Sequence, residues 1–565
     1  MTALLEVPVA WPGWSSRPEE CAPKIAALAS LVNLAAPDPV ASVAYHSRGN
    51  LLVIGGDQPQ RAALAAQALA GALTVTLLNA PSADPRIAAW RAEVHALEGF
   101  LGEFQVTLGD LAVNGAAPQP STTPARFDLV LDFSTAALFG MRQPPQGYFR
   151  APADDADLAP LLDEIRGAVG EFEKPRYFAY RESICAHSRS QVTGCNACID
   201  ICSTQAISSD GDKVRVDPHL CMGCGACASA CPSGAMGYQF PRPADRGAQV
   251  KQLLAAYRHA GGANPLIVFH DGQAGREALA AAAEAGNGLP PNALPLEAWH
   301  VAAIGLDVLL PAIAFGAHGV VVLASSDDDA EYVDAMRGQM AIGQAVLTGL
   351  GYAGTHFHLV QAGRDMATAF EGLEAGTPPA VNATFLVSND KRTAIEFAVE
   401  HLAKHAPSPV DEIALPQGAP WGQVVVDRKA CTLCLACVGA CPASALMDGV
   451  DEPLLKFVER NCVQCGLCEN TCPEEAIALQ PRLLLTPAVR EARVLNETQP
   501  FHCTRCQKPF GTRLMVEAMM SRLSGHSMFA GGDALKRLQM CADCRVVDMM
   551  AAKGEVSVLR LGDDA

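Results

Sequence analysis

The chain has 565 residues, half of them hydrophobic, with 21 cysteines and a formal net charge of −18. That length sets an expectation of about three to five domains. The acidic balance argues against a nucleic-acid binder, which needs a basic face. It suits solubility, or docking to a basic patch on a redox partner.

The cysteines sit at two- and three-residue gaps, which fits metal ligation better than disulfides and predicts a reducing, cytoplasmic setting. Met1 to Ser30 lacks a basic n-region, a twin-arginine pair and a small-residue cleavage site, so no export signal is expected. The most apolar stretch, Ile304 to Ser325, carries Asp307, Pro311 and His318. It reads as a strand-and-helix core rather than a membrane span.

Residues 1–43 form an N-terminal segment in which Cys21, outside every cysteine group, is expected to be a buried thiol. Residues 44–140 read as a small α/β domain. Its strands are expected at Leu51–Gly56, Leu73–Leu78 and Phe127–Ser134, with a helix at Gln58–Leu69. Gly55-Gly56 fits a tight strand-to-helix turn; a nucleotide site is the alternative, but no GxGxxG follows a strand and no GxxxxGK[ST] occurs. Residues 141–175 read as a linker, from the Pro-containing polar stretch Gln143–Asp157.

Residues 176–245 hold a first cysteine module. Residues 246–365 form a second α/β domain, with strands at Leu266–Asp271, Ala293–Trp299, Gly319–Ser325 and His356–Gln361. Helices are expected at Arg276–Ala285, Leu306–Phe315 and Glu331–Leu350, and alternation with strands points to a parallel sheet. His270, His300, His356 and His358 fall in or beside these strands and read as core or sheet-end histidines. Residues 366–420 contain a helix near Lys391–Lys404 and a linker; 421–482 hold a second cysteine module. Residues 483–565 form a C-terminal zinc-ribbon-like segment with helical patterns at Arg513–Leu523 and Asp533–Met540. The fold class is therefore α/β plus α+β: two dicluster ferredoxin modules interleaved with two small parallel-sheet domains.

Three runs share one spacing. They are Cys221, Cys224, Cys227 and Cys231-Pro232; Cys431, Cys434, Cys437 and Cys441-Pro442; and Cys462, Cys465, Cys468 and Cys472-Pro473. This is the bacterial run for [4Fe–4S] clusters, whose fourth cysteine serves the neighbouring cluster. Zinc sites rarely use it. One cluster is thus expected on Cys431, Cys434, Cys437 and Cys472, another on Cys462, Cys465, Cys468 and Cys441. The tails repeat as well: Ala206, Ala235, Ala445 and Ala476 each lie four residues beyond the last cysteine.

The first run departs from the pattern. It keeps Cys195, Cys198 and Cys202, with Ser203 in the proline position. Its first ligand is expected to be Cys185, displaced by the insert Ala186–Gly194. Crossed ligation then gives Cys185, Cys195, Cys198 and Cys231 for one cluster, and Cys221, Cys224, Cys227 and Cys202 for the other. Two alternatives stand beside this: His187 as the ligand in place of Cys185, or an incomplete three-iron cluster. The last group, Cys503, Cys506, Cys541 and Cys544, is two CxxC knuckles, a zinc pattern, with a fifth Fe–S cluster as the alternative.

The two modules resemble polyferredoxin-type 4Fe–4S proteins. CAHSRSQVTGCNACIDIC is similar to bacterial ferredoxin-like proteins often encoded beside formate dehydrogenases. The segment IGLDVLLPAIAFGAHGVVVLASSDDDAEYVDAMRGQMAIGQAVLTGLGY resembles the delta-subunit domain of methyl-viologen-reducing hydrogenase, which passes electrons to heterodisulfide reductase. That domain usually carries its own cysteines and a small cluster, whereas residues 233–430 here contain no cysteine. The resemblance therefore implies a fold and a docking role, not a further metal centre.

The expected function is electron relay through four [4Fe–4S] clusters plus one zinc, as subunit or partner of a dehydrogenase, without a membrane span. The competing expectations are an accessory or maturation factor and a flavin enzyme; no independent catalytic site is seen.

Overall fold

A computed structural model describes residues 20–551, apart from 120–123, 287, 326–327, 364–365, 450–451 and 530–531. Residues 1–19 of the segment read for an export signal lie outside the described residues, as do 552–565 of the C-terminal segment.

The first domain is built on parallel strands Asn50–Ile54, Thr74–Leu78, Ala88–Arg91 and Leu129–Asp132. Its central strands are buried almost end to end, as a sheet covered on both faces requires. Helices Pro59–Leu69 and Leu158–Gly167 cover one face through Ala62, Leu69, Leu162 and Ile165. A separate antiparallel sheet of Val94–Glu98, Phe104–Leu108 and Ala125–Phe127 covers the other.

Residues 141–175 are not a linker. Tyr148–Arg150 pairs with Leu129–Asp132, and Gly170–Pro175 pairs with Ser42–Ser47. These strands are short and set among prolines and glycines, so they carry no periodicity; long-range pairing makes them strands. Tyr148 is anchored by donating its hydroxyl to buried Asp132 at 2.5 Å.

The middle domain has four parallel strands in the order Ala293–Ala298, Leu266–Asp271, Gly319–Ala324, Phe357–Gln361. Ile304 to Ser325 forms a buried helix, Leu306–Ala314, and a buried strand. Among the described residues no helix is long and apolar enough to cross a membrane. Two expected boundaries move outward. Helix Ala22–Ser30 packs on Pro243–His259 and puts Ala27 and Leu28 into this core. Helix Lys391–Lys404 does the same with Ala394, Ile395, Ala398 and Leu402, against Leu306–Ala314. Both helices complete a core whose other half is distant in sequence, so neither boundary shows in local composition. His270 and His356 are fully buried, each with a ring nitrogen on a backbone carbonyl.

Gly56 has a left-handed φ of +48°, and a Cβ there would lie 2.5 Å from Ser134 Cα. Close approach of two backbones accounts for the glycine pair. Gly56→Ala is expected to cost about 1–3 kcal/mol of stability, read as a lower thermal midpoint of the holoprotein; an unchanged midpoint contradicts the packing argument.

Candidate metal centres

The third cysteine of each ferredoxin-type run rides on a short helix: Cys198 in Ala197–Asp200, Cys227 in Ala226–Ala230, Cys437 in Ala436–Ala440, and Cys468 in Leu467–Thr471. The preceding loops curl through left-handed residues, Gly223 and Gly225, Leu433 and Leu435, Gln464 and Gly466. Such alternation turns successive N–H groups inward to make an anion-binding nest. Accordingly Gly223, Ala226, Gln464 and Leu467 donate N–H to Cys221, Cys224, Cys462 and Cys465. Ala445 and Ala476 donate N–H to the sulfurs of Cys441 (3.2 Å) and Cys472 (3.3 Å). That contact is a role for the alanines repeated in the second module's tails. Near-complete burial accounts for the small side chain in all four tails.

The fold brings the cysteines together crosswise. Cys202 joins Cys221, Cys224 and Cys227 around one cavity. Cys441 joins Cys462, Cys465 and Cys468 around a second. Cys472 joins Cys431, Cys434 and Cys437 around a third. Cys185, Cys195, Cys198 and Cys231 form the remaining group, close enough for their thiols to interact electrostatically. The same kind of interaction links neighbouring groups through Cys198 with Cys227, Cys437 with Cys468, and Cys195 with Cys465.

The insert in the first run is a hairpin, Ser188–Arg189 with Val192–Thr193, turned by left-handed Ser190 and Gln191. His187 at its base is buried, and both ring nitrogens are engaged, with the Cys195 carbonyl at 3.2 Å and Ser209 Oγ at 2.8 Å. The hairpin rests on the second module: Asn470 donates to the Thr193 carbonyl at 2.9 Å, and a Cβ on Gly194 would lie 2.5 Å from Leu467.

Burial pushes the thiols of Cys198 and Cys437 up to about 12, and those of Cys224 and Cys465 to about 11. Buried thiolates at such sites need positive charge beside them, which is what iron supplies. The donor set fits the clusters.

Both cysteine modules match 4Fe-4S dicluster domains. The matched residues are 193–235 and 430–477. Indolepyruvate oxidoreductase subunit IorA of Pyrococcus horikoshii is 46% identical over 50 residues, 8% of each chain. Hydrogenase-4 component A of Escherichia coli is 38% identical over 52 residues, 9% of this chain and 25% of its own. Ferredoxin 7Fe of Hydrogenibacillus schlegelii is 33% identical over 43 residues, 8% of this chain and 55% of its own. The matches thus span 8% to 55% of the relatives' lengths. The chain carries iron–sulfur ferredoxin domains of the kind found in electron-transfer subunits.

At the C-terminus, the sulfurs of Cys503, Cys506, Cys541 and Cys544 all lie within 4.8 Å of one another and can hold a metal ion. Burial raises the Cys503 thiol, but N–H groups of Cys541, Cys506 and Arg505 more than offset this and hold it below its ordinary value. The segment rides on the second module, where Thr512 donates to the Thr432 carbonyl at 2.8 Å and Arg522 pairs with Glu474.

Sequence reasoning missed three cations that reach the cysteine loops: Lys174, Lys391 and Arg392. The signal was available. Lys391-Arg392 follows an Asp390 N-cap and puts two cations at the positive end of a helix.

Replacing Cys541 and Cys544 with serine is expected to remove about one metal equivalent per chain and leave iron unchanged in elemental analysis. Loss of iron instead would place a cluster at this site.

Proposed function

We propose that this chain is a four-cluster electron wire, acting as a subunit or dedicated partner of a cytoplasmic dehydrogenase. The observation that carries the reading is the contact between modules at the hairpin, where Thr193 and Gly194, just before Cys195, meet Asn470 and Leu467, just after Cys465. The order along the wire is Cys431, Cys434, Cys437 and Cys472; then Cys462, Cys465, Cys468 and Cys441; then Cys185, Cys195, Cys198 and Cys231; then Cys221, Cys224, Cys227 and Cys202. Each group holds one [4Fe–4S] cluster, which supplies one-electron chemistry when bound. Cys185 rather than His187 is the first ligand of the stretched run, because the histidine's two nitrogens are spent on oxygen partners.

The protein's own part is to bury the sulfurs, donate N–H groups to them and exclude water, the levers that set a cluster's potential. One end of the wire reaches the surface at exposed Cys434. The other lies beneath Trp299, whose indole donates to the Met222 carbonyl at 3.4 Å. The cysteine-free middle domain, delta-subunit-like in sequence, serves as the docking scaffold there. Zinc fits the C-terminal group: Cys506 and Cys541 sulfurs are 3.7 Å apart. A tetrahedral site with bonds of about 2.3 Å has an edge of about 3.8 Å. The names of the hydrogenase and oxidoreductase relatives support a partner of that general class. A formate dehydrogenase is the candidate favoured by the resemblance of the stretched first run.

Anaerobically purified protein is expected to contain about 16 iron and one zinc per chain, and to reduce and reoxidise reversibly in EPR titration. About 8 iron, or clusters that stay redox-silent, would contradict the wire. Gly194→Ala forces Leu467 and the Ala186 carbonyl apart. It is expected to keep its iron but slow electron equilibration between modules several-fold in flash-photoreduction kinetics; unchanged kinetics would exclude the hairpin as the joint.

A further inference from the structure

Among the described residues several interior cations bond backbone carbonyls and no carboxylate, buried Lys24 included, and three of them hold the carbonyl of a cluster cysteine. Lys391 is buried and donates to the carbonyls of Ala228 (2.8 Å), Ser229 (2.6 Å) and Cys231 (2.9 Å). Those three bonds use every donor an ammonium has. Lys174 is also buried and donates to the carbonyls of His219 (2.7 Å) and Cys221 (2.8 Å). Half-buried Arg392 donates to the carbonyls of Pro420 (2.5 Å), Arg460 (3.0 Å) and Cys462 (3.3 Å). Each cation therefore holds the carbonyl of one cluster cysteine, and each serves a different cysteine group.

Carboxylates also act on these cations, Asp307 on Lys391, Asp217 on Lys174, and Glu396 and Asp390 on Arg392, though the last three have further partners. Asp390 pairs with Arg181 at 2.7 Å, and Glu396 with Arg460 at 2.7 Å and Arg490 at 3.1 Å. Asp217 accepts the His219 N–H at 2.8 Å. Asp307 and Lys391 act on each other, and burial pushes the Asp307 carboxyl up and the Lys391 ammonium down. A buried charge is costly unless neighbouring charge and hydrogen bonds compensate it. Lys391 and Arg392 also sit at the positive end of their own helix, where the Asp390 N-cap offsets part of the cost. Cations set against the backbone of three cysteine loops suit an anion carried by those loops. Thiolate-ligated clusters are that anion. The fourth group differs: the Cys431 carbonyl is met by the neutral amide of Asn496 at 3.4 Å.

We propose that Lys174, Lys391 and Arg392 are the counter-ions of three of the four clusters and raise their reduction potentials, each acting on the group whose cysteine carbonyl it holds. Lys391 and Arg392, adjacent on one helix, would thereby poise the two clusters that face each other across the module joint. The step they poise moves one electron from a reduced cluster to an oxidised neighbour, with no bond or proton changing hands. Added positive charge favours the more negative, reduced state, so its removal must lower the potential.

This inference rests on the four-cluster reading, and the test separates the two. Lys391→Gln, Arg392→Gln and Lys174→Gln are each titrated by EPR alongside the wild type, with iron counted in every sample. One midpoint per variant is expected to fall by about 59 mV, a tenfold loss in the reduced-to-oxidised ratio at fixed potential, while the other midpoints stay. Arg392 is only half-buried, so its variant keeps the test open where Lys391→Gln does not fold; Arg392→Lys, which keeps the charge, should hold the wild-type midpoint. A variant that loses one cluster while Arg392→Lys keeps all four also supports the counter-ion role. Iron-complete variants with all midpoints unmoved would overturn it. A wild type with fewer clusters or silent ones would instead defeat the four-cluster reading.

Discussion

Buried sulfur is the constraint on which the rest of this structure depends. Sixteen cysteines are gathered into four groups, most of them partly or fully buried. Away from water a thiolate is unstable unless positive charge meets it. Iron would supply that charge from inside each cage. The protein supplies it from outside, through loop N–H groups and through Lys174, Lys391 and Arg392. The surrounding domains can be understood as the means of bringing those groups to the sulfurs.

The helix Lys391–Lys404 shows how. Its apolar face, Ala394, Ile395, Ala398 and Leu402, belongs to the core of the middle domain. Its first turn reaches out of that core to both cysteine modules, Lys391 to the first and Arg392 to the second. Tyr332 makes a similar contact from the same domain: its hydroxyl lies 2.5 Å from Ser203 Oγ and bonds Cys224. The α/β domain is thus packed directly on the electron-carrying modules rather than tethered beside them.

Much of this was legible in the sequence. The three regular cysteine runs match a known crossed-ligation pattern, and the fold gathers their cysteines crosswise around shared cavities. Parallel strands such as Leu266–Asp271 and Gly319–Ala324 are continuous apolar runs and declare themselves. What stayed hidden depends on distant partners. Tyr148–Arg150 is a strand only because Leu129–Asp132 lies beside it. The insert Ala186–Gly194 looked like a place for an unusual ligand. In the fold it is a hairpin resting on Leu467 and Asn470, so the irregularity belongs to the joint between modules. Lys391-Arg392 was visible as letters, yet its meaning needed the carbonyls it meets.

The continuity of the wire across that joint is the central claim, and spin–spin interaction between clusters tests it most directly. In fully reduced protein, the EPR signal of the Cys195 group should be broadened by the neighbouring Cys465 group. Cys465→Ala, which disables that neighbour, should sharpen the first module's spectrum while its own clusters remain. A first-module spectrum that is identical with and without the Cys465 cluster would mean the two modules do not form one wire.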